Sequence, residues 1–189
     1  MHTAADVIAA VRSLDQRRDG RTAWVGIDGR GASGKTTLAD AIGQAVPSAV
    51  VVHGDDFAGP DIAEWEWSRF ITQVRDPLLA GRAARYQSWD WDRDTGGPWH
   101  DIAPGALVVF EGVSATRDEA GVPWDLRIWV EAPYDLRLRR AVERDGEQML
   151  PRWLDDWMPS EERYIAAQRP DHRADLVVEG TTAFLGDDL

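Results

Sequence analysis

The stretch "GRGASGKTT" (29–37) holds the only lysine among the chain's 21 Lys and Arg residues. Gly29, Gly34, Lys35 and Thr36 complete the pattern G-x-x-x-x-G-K-[ST], with the apolar run "TAWVGID" before it and the helical pattern "TTLADAIGQAV" after it. A strand, a glycine-rich turn and a helix in that order aim backbone N–H groups and the helix dipole at one point, which makes a cradle for phosphate oxygens. In this reading Gly29, Gly31, Ala32, Ser33, Gly34 and Thr37 line the cradle. Lys35 reaches the β- and γ-phosphates of ATP, and Thr36 ligates Mg²⁺. Lysine suits that place because it carries a compact charge on a flexible stem, where arginine is planar and bulky. The bland alternative is a strand-to-helix turn with an incidental lysine.

Two carboxylate sites flank this loop. "VVVHGDDF" closes an apolar run with Asp55 and Asp56, where a carboxylate orients an acceptor hydroxyl and takes its proton during phosphoryl transfer. Helix caps or a solvated turn are the competing explanation. Glu111 ends "LVVFEG", and a carboxylate closing an apolar strand needs a cation or a donor, so it is a candidate Mg²⁺ ligand, with Asp55 a further one. "APYDLRLRRAVERDG" sets Arg137, Arg140 and Arg144 on one helical face. There they either neutralise charge on a transferred group, Arg137 and Arg140 as catalytic residues and Arg144 against the nucleotide, or pair with Asp135, Glu143 and Asp145 in solvent.

The elements that must position these groups follow a βαβ rhythm. Near-continuous apolar runs at 22–28, 49–53, 106–112, 126–132 and 174–180 predict parallel strands covered on both faces. Helical patterns fall at about 3–16, 35–45, 62–81, 134–145 and 160–168. "ARYQSWDWDRDTGGPWHDIAP" breaks the rhythm and predicts a β-hairpin insertion over about 85–103, bending at "DRDTGG".

With 189 residues, 43% apolar and 29% charged, the chain is expected to form one domain over 1–189. A net charge of −12 disfavours general binding to nucleic acid or anionic membranes, so any phosphate must be held at a focused site. No run approaches the roughly 20 apolar residues of a membrane span, and the N-terminus lacks a signal-peptide pattern, so a cytoplasmic location is expected. The absence of cysteine excludes thiolate chemistry and disulfides. The chain has no Asn, so the N-K-x-D pattern that reads guanine is impossible.

"GIDGRGASGKTTLA", "VVVHGDDF", "ALVVFEGV", "DLRLRRAVERD" and "ADLVVEG", in that order over 22–180, resemble the uridine kinase group of the uridine kinase, phosphoribulokinase and pantothenate kinase P-loop superfamily. The resemblance implies an α/β P-loop kinase fold: a five-stranded parallel sheet of order 2-3-1-4-5 flanked by helices, with a small lid at about 140–158 and the hairpin insertion. It implies Mg·ATP-dependent phosphorylation of a small-molecule hydroxyl. Asp55 matches the family's catalytic base in its Asp-x-Phe motif, Lys35 and Thr36 match the phosphate and Mg²⁺ contacts, and Glu111 matches the strand-end carboxylate. Arg137, Arg140 and Arg144 match the lid helix.

The departures fall where the acceptor is chosen. Ala58 stands where the family has Tyr, and the hairpin reads "YQSWDWDRD" in place of the usual Tyr-Asp motif. Asp56, Phe57, Tyr86, Trp89, Asp90, Asp92 and Arg93 are therefore candidate substrate contacts, although for any one Trp packing of the hairpin onto the sheet is the favoured reading. A nucleoside is the first acceptor to consider. The rivals are another alcohol (a sugar, a pantothenate-like acid or an antibiotic) and a regulatory P-loop ATPase or switch. Oligomeric state is left open, a homo-oligomer being one alternative.

Overall fold

The computed structural model describes residues 1–57, 59 and 65–181. In chain order it has α1 (Ala4–Arg17), β1 (Ala23–Gly29), α2 (Lys35–Ala45), β2 (Ala49–His53) and a 3-10 turn (Gly54–Phe57). There follow α3 (Trp67–Phe70), a π-helical turn (Ile71–Arg75), α4 (Asp76–Leu79) and the strands β3 (Ala84–Asp90), β4 (Thr95–Ile102), β5 (Leu107–Glu111) and β6 (Leu126–Glu131). The last part comprises α5 (Tyr134–Asp145), α6 (Leu150–Arg152), a π-helical turn (Trp153–Trp157), α7 (Met158–Gln168), α8 (Pro170–Arg173) and β7 (Leu176–Glu179).

Five strands form one parallel sheet of order β2-β5-β1-β6-β7, and β3 pairs with β4 in a separate antiparallel hairpin. Counting only the sheet strands along the chain, this is the expected order 2-3-1-4-5. All seven residues of β1 and all five of β5 are buried, which is why both runs lack polar alternation. Period-two geometry still sorts them by face. Val25, Ile27, Leu107 and Val109 join α1 and α2 in one core cluster, while Trp24, Val108 and Phe110 join α3, α4 and the hairpin in another. The second cluster absorbs much of the tryptophan: Trp24 is buried, and Trp65, Trp67 and Trp124 pack against it. A capping box between Thr3 and Asp6 starts α1, whereas α2 begins on Gly34 with no side-chain cap.

Two expectations need correction. The hairpin bends at 91–94, so Thr95, Gly96 and Gly97 belong to β4 and not to the bend. The long helix expected over 62–81 is divided into α3, a π-helical turn and α4 over 67–79, and positions 62–64, like Ala58, lie outside the described residues. Over the region expected as a lid the chain is helical and packed: Trp153 and Met158 are buried in a cluster with Ala141, against which Ala32 of the phosphate loop packs. Among the described residues no helix is long and apolar enough to cross a membrane.

Phe110 is the keystone of the second cluster. It is fully buried, stacks on Phe70 at 4.2 Å between ring centres, and meets Phe57, Trp65, Trp67 and Trp124 at 5.2–6.4 Å. Phe110→Ala is expected to cost about 3–5 kcal/mol in denaturant unfolding, the range for emptying a large aromatic site. A loss below about 1 kcal/mol would show that this face of the sheet is loosely packed.

Candidate active site at the carboxyl edge of the sheet

The order β2-β5-β1 brings the ends of three strands side by side. Ile27 of β1 and His53 of β2 both lie in register with Glu111 of β5, so the phosphate loop, the 54–57 turn and Glu111 meet at one edge. In the loop, Gly29 (φ 149°) and Gly34 (φ 103°) adopt backbone angles that favour glycine. A Cβ on Gly29 would stand 2.5 Å from the Val130 carbonyl. Lys35 is 7% exposed and its Nζ donates to the Arg30 carbonyl at 2.8 Å. Burial lowers its pKa, and Glu111, Glu161, Asp28 and Asp55 oppose that shift. Ser33 is fully buried and its Oγ has no hydrogen-bond partner among the described residues.

Glu111 is buried and accepts from Thr36 Oγ1 at 3.2 Å on the same oxygen that lies 2.8 Å from His53 Nδ1. The Glu111 carboxylate raises the His53 pKa against the effect of burial. The described residues contain no cluster of three or more His, Asp or Glu able to hold a metal by themselves. Two hard oxygens, from Thr36 and Glu111, fit Mg²⁺ held jointly with phosphates and water, the usual arrangement at nucleotide sites.

Asp55 reaches solvent, yet protein crowds its carboxyl. Burial raises its pKa, as does Glu111, while Lys35, Arg144 and His53 pull it down. Asp55 thus lies in the field of the phosphate-loop lysine and of one arginine of the row. Asp56 is tied to the hairpin instead, accepting from the Tyr86 hydroxyl at 3.2 Å. Burial pushes the Tyr86 pKa up, and its ring stacks on Phe57 and on His100. Trp65 lies so close to Gly54 and Gly112 that a Cβ on either would be 2.2 Å from its ring. These contacts hold the turn that carries Asp55.

The remaining candidates divide. Phe57 is fully buried among Phe70, Tyr86 and Phe110 and so is a core side chain, not a surface open to a substrate. Asp90 pairs with Arg93 at 2.9 Å across the hairpin bend, where Asp92 is exposed, so these three shape the bend. Trp89 is half-buried, with no partner for Nε1 among the described residues. The arginine row does not act as one face. Arg137 is buried against Glu161 at 3.4 Å, and Arg140 donates to the Gly180 carbonyl at 2.7 Å and to that of Ala32 at 3.5 Å. Arg144 is held bidentately by Asp145 and senses Asp55 and Glu111.

Sequence reasoning missed His53, Asp28 and Glu161. His53 had a visible signal, since it ends β2 beside the acidic turn. Glu161 had none, because it meets Gly31 across 130 residues of chain.

No family model matches the chain. Its sequence is 28% identical over 180 residues to the uridine kinase of Halobacterium salinarum, covering 82% of this chain and 78% of that protein. Its fold matches a possible uridine kinase from Bacillus stearothermophilus with a TM-score of 0.68 at 21% identity, over 92% of this chain and 98% of that one. A candidate fructose transport system kinase from Silicibacter sp. TM1040 matches with a TM-score of 0.65, also at 21% identity, over 94% and 99%. The chain therefore has the P-loop kinase fold, and its sequence resembles uridine kinases at low identity.

If the packing of Trp65 fixes the acidic turn, Gly54→Ala must displace the ring. The expected result is a loss of about 1–3 kcal/mol of stability with a changed tryptophan emission spectrum. Unaltered emission and stability would mean that the turn does not depend on that contact.

Proposed function

We propose that the chain is a kinase that moves the γ-phosphoryl group of Mg·ATP to a hydroxyl of a small metabolite, with a uridine- or cytidine-like nucleoside as the first acceptor to test. The observation that carries this reading is the meeting of the phosphate loop, the Asp55 turn and Glu111 at one edge of the sheet, where buried Lys35 and Asp55 lie in each other's field and burial raises the proton affinity of Asp55. A base with raised proton affinity is better matched to taking a hydroxyl proton near neutral pH. Asp55 orients the acceptor hydroxyl and accepts its proton. Lys35 leaves the Arg30 carbonyl to hold the transferred phosphate, and Arg144, the arginine that senses Asp55, offsets charge on the same group. Thr36 and Glu111 would hold Mg²⁺, which when bound would neutralise charge that develops on the phosphates. Arg137 and Arg140 act through the loop, since their donors are turned to Glu161 and to backbone carbonyls.

The acceptor side favours a neutral compound. Asp55, Asp56 and Glu111 cluster there, and this field disfavours an acid of the pantothenate type. A sugar is the second reading, supported by the fold match to a candidate fructose transport system kinase. A nucleotide switch has no use for a carboxylate beside the transferred group, which argues for an acceptor-dependent reaction.

Lys35→Ala is expected to abolish turnover. Asp55→Asn is expected to lower kcat about 10²-fold or more while ATP affinity stays within about threefold of the parent. Both are read from ADP release at saturating acceptor together with calorimetric ATP titration. Unchanged turnover in the Asp55 variant would remove it from the role of base.

A further inference from the structure

The phosphate loop is gripped from outside by one helix. On α7, Glu161 Oε1 accepts the Gly31 N–H at 2.9 Å, and its other oxygen faces Arg137 Nη1 at 3.4 Å. The neighbouring Glu162 pairs with Arg30 Nε at 2.8 Å. One turn further along, on the same side of α7, the Tyr164 hydroxyl donates to Asp28 Oδ2 at 2.7 Å. Asp28, at the end of β1, also accepts from the Gly29 N–H at 2.7 Å, the Thr116 N–H at 2.9 Å and the Thr116 hydroxyl at 2.8 Å. Asp28, Arg137, Glu161 and Tyr164 are all buried, between 1% and 8% exposed.

Two features show that the grip is specific. A carboxylate withdrawn from water is costly, and burial raises the Glu161 pKa, yet its strongest single partner is one loop N–H. Gly31 is also a glycine that the G-x-x-x-x-G-K-[ST] pattern does not require. A Cβ there would stand 2.5 Å from the Trp153 ring and 2.7 Å from Glu161 Oε1, so its identity follows from the approach of the 153–161 segment.

We propose that Glu161 and Tyr164 are positioning residues that set the shape of the phosphate loop, with α7 acting as a clamp at Gly31 and Asp28. The part of this proposal that concerns nucleotide affinity rests on reading the loop as an ATP site. The clamp itself does not. The π-helical turn Trp153–Trp157 runs directly into α7, so the Trp153 ring beside Gly31 and the Glu161 contact belong to one continuous helical run.

The test compares Glu161→Ala, Glu161→Gln and Gly31→Ala. In the ligand-free protein, Glu161→Ala is expected to speed amide exchange of a peptide covering 29–34 by about tenfold or more, with the sheet strands unchanged, because a charge-assisted hydrogen bond to the loop is lost. Glu161→Gln keeps an oxygen for the Gly31 N–H and is expected to restore most of the protection. ATP titration is expected to show Kd raised about tenfold or more in Glu161→Ala and Gly31→Ala, and within about threefold of the parent in Glu161→Gln. Loop exchange at the parental rate in Glu161→Ala, acceleration spread evenly over the sheet, or an unchanged ATP Kd would each overturn the clamp. Should the parent protein bind no ATP, the kinase reading falls, and the exchange comparison alone decides the inference.

Discussion

An ammonium group held out of water sets the terms for the site. Lys35 is 7% exposed, and the carboxylates that counter its desolvation come from four places: Asp28 at the end of β1, Asp55 after β2, Glu111 at the end of β5 and Glu161 on α7. A buried cation without such partners would carry a penalty of several kcal/mol. The parallel sheet meets that requirement because its strand order sets β2, β5 and β1 side by side with their carboxyl ends together. The same carboxylates are then available for chemistry. Asp55 has its proton affinity raised, Glu111 is joined to Thr36, and Glu161 is turned to the loop backbone.

What could be read beforehand was what local pattern and spacing encode. Continuous burial of β1 and β5 appears as unbroken apolar runs, and the loop motif fixed its own context of strand and helix. The hairpin was legible as an aromatic, turn-rich stretch, but its bend was displaced because Thr95 and Gly96 pair with Asp90 and Trp89 of β3 despite their turn propensity. The arginines mark the limit of spacing arguments. Arg137, Arg140 and Arg144 share a helical face, yet a buried glutamate, two backbone carbonyls and a neighbouring aspartate claim them separately. Helical periodicity gives a direction and not a partner. Asp28 and Glu161 were invisible for the same reason, since their donors lie 88 to 136 and 130 residues away in the chain apart from the adjacent Gly29 and the Arg137 pair.

The acceptor side differs in character from the phosphate side. The loop is rigidly defined by backbone geometry and by α7, whereas the Asp55 turn is positioned by aromatic contacts: Trp65 on Gly54 and Gly112, and Phe57 on Tyr86. Four tryptophans, Trp24, Trp65, Trp67 and Trp124, belong to the cluster beneath the turn, whereas Trp89, the tryptophan expected as a candidate substrate contact, lies half-buried on the hairpin. The edge beside Asp55 is carboxylate-rich, and Tyr86 of the hairpin is turned to Asp56 and stacked on His100.

In the proposed reaction phosphate leaves ATP for a hydroxyl and not for water. Phosphorus NMR of the protein with Mg·ATP, run against pooled nucleosides, pooled sugars, pooled alcohol-bearing vitamins and no acceptor, tests it most directly. The account predicts a phosphomonoester resonance that grows as the γ-phosphate signal falls, in an acceptor pool only. Inorganic phosphate appearing at the same rate in every tube, with no phosphomonoester, would contradict it.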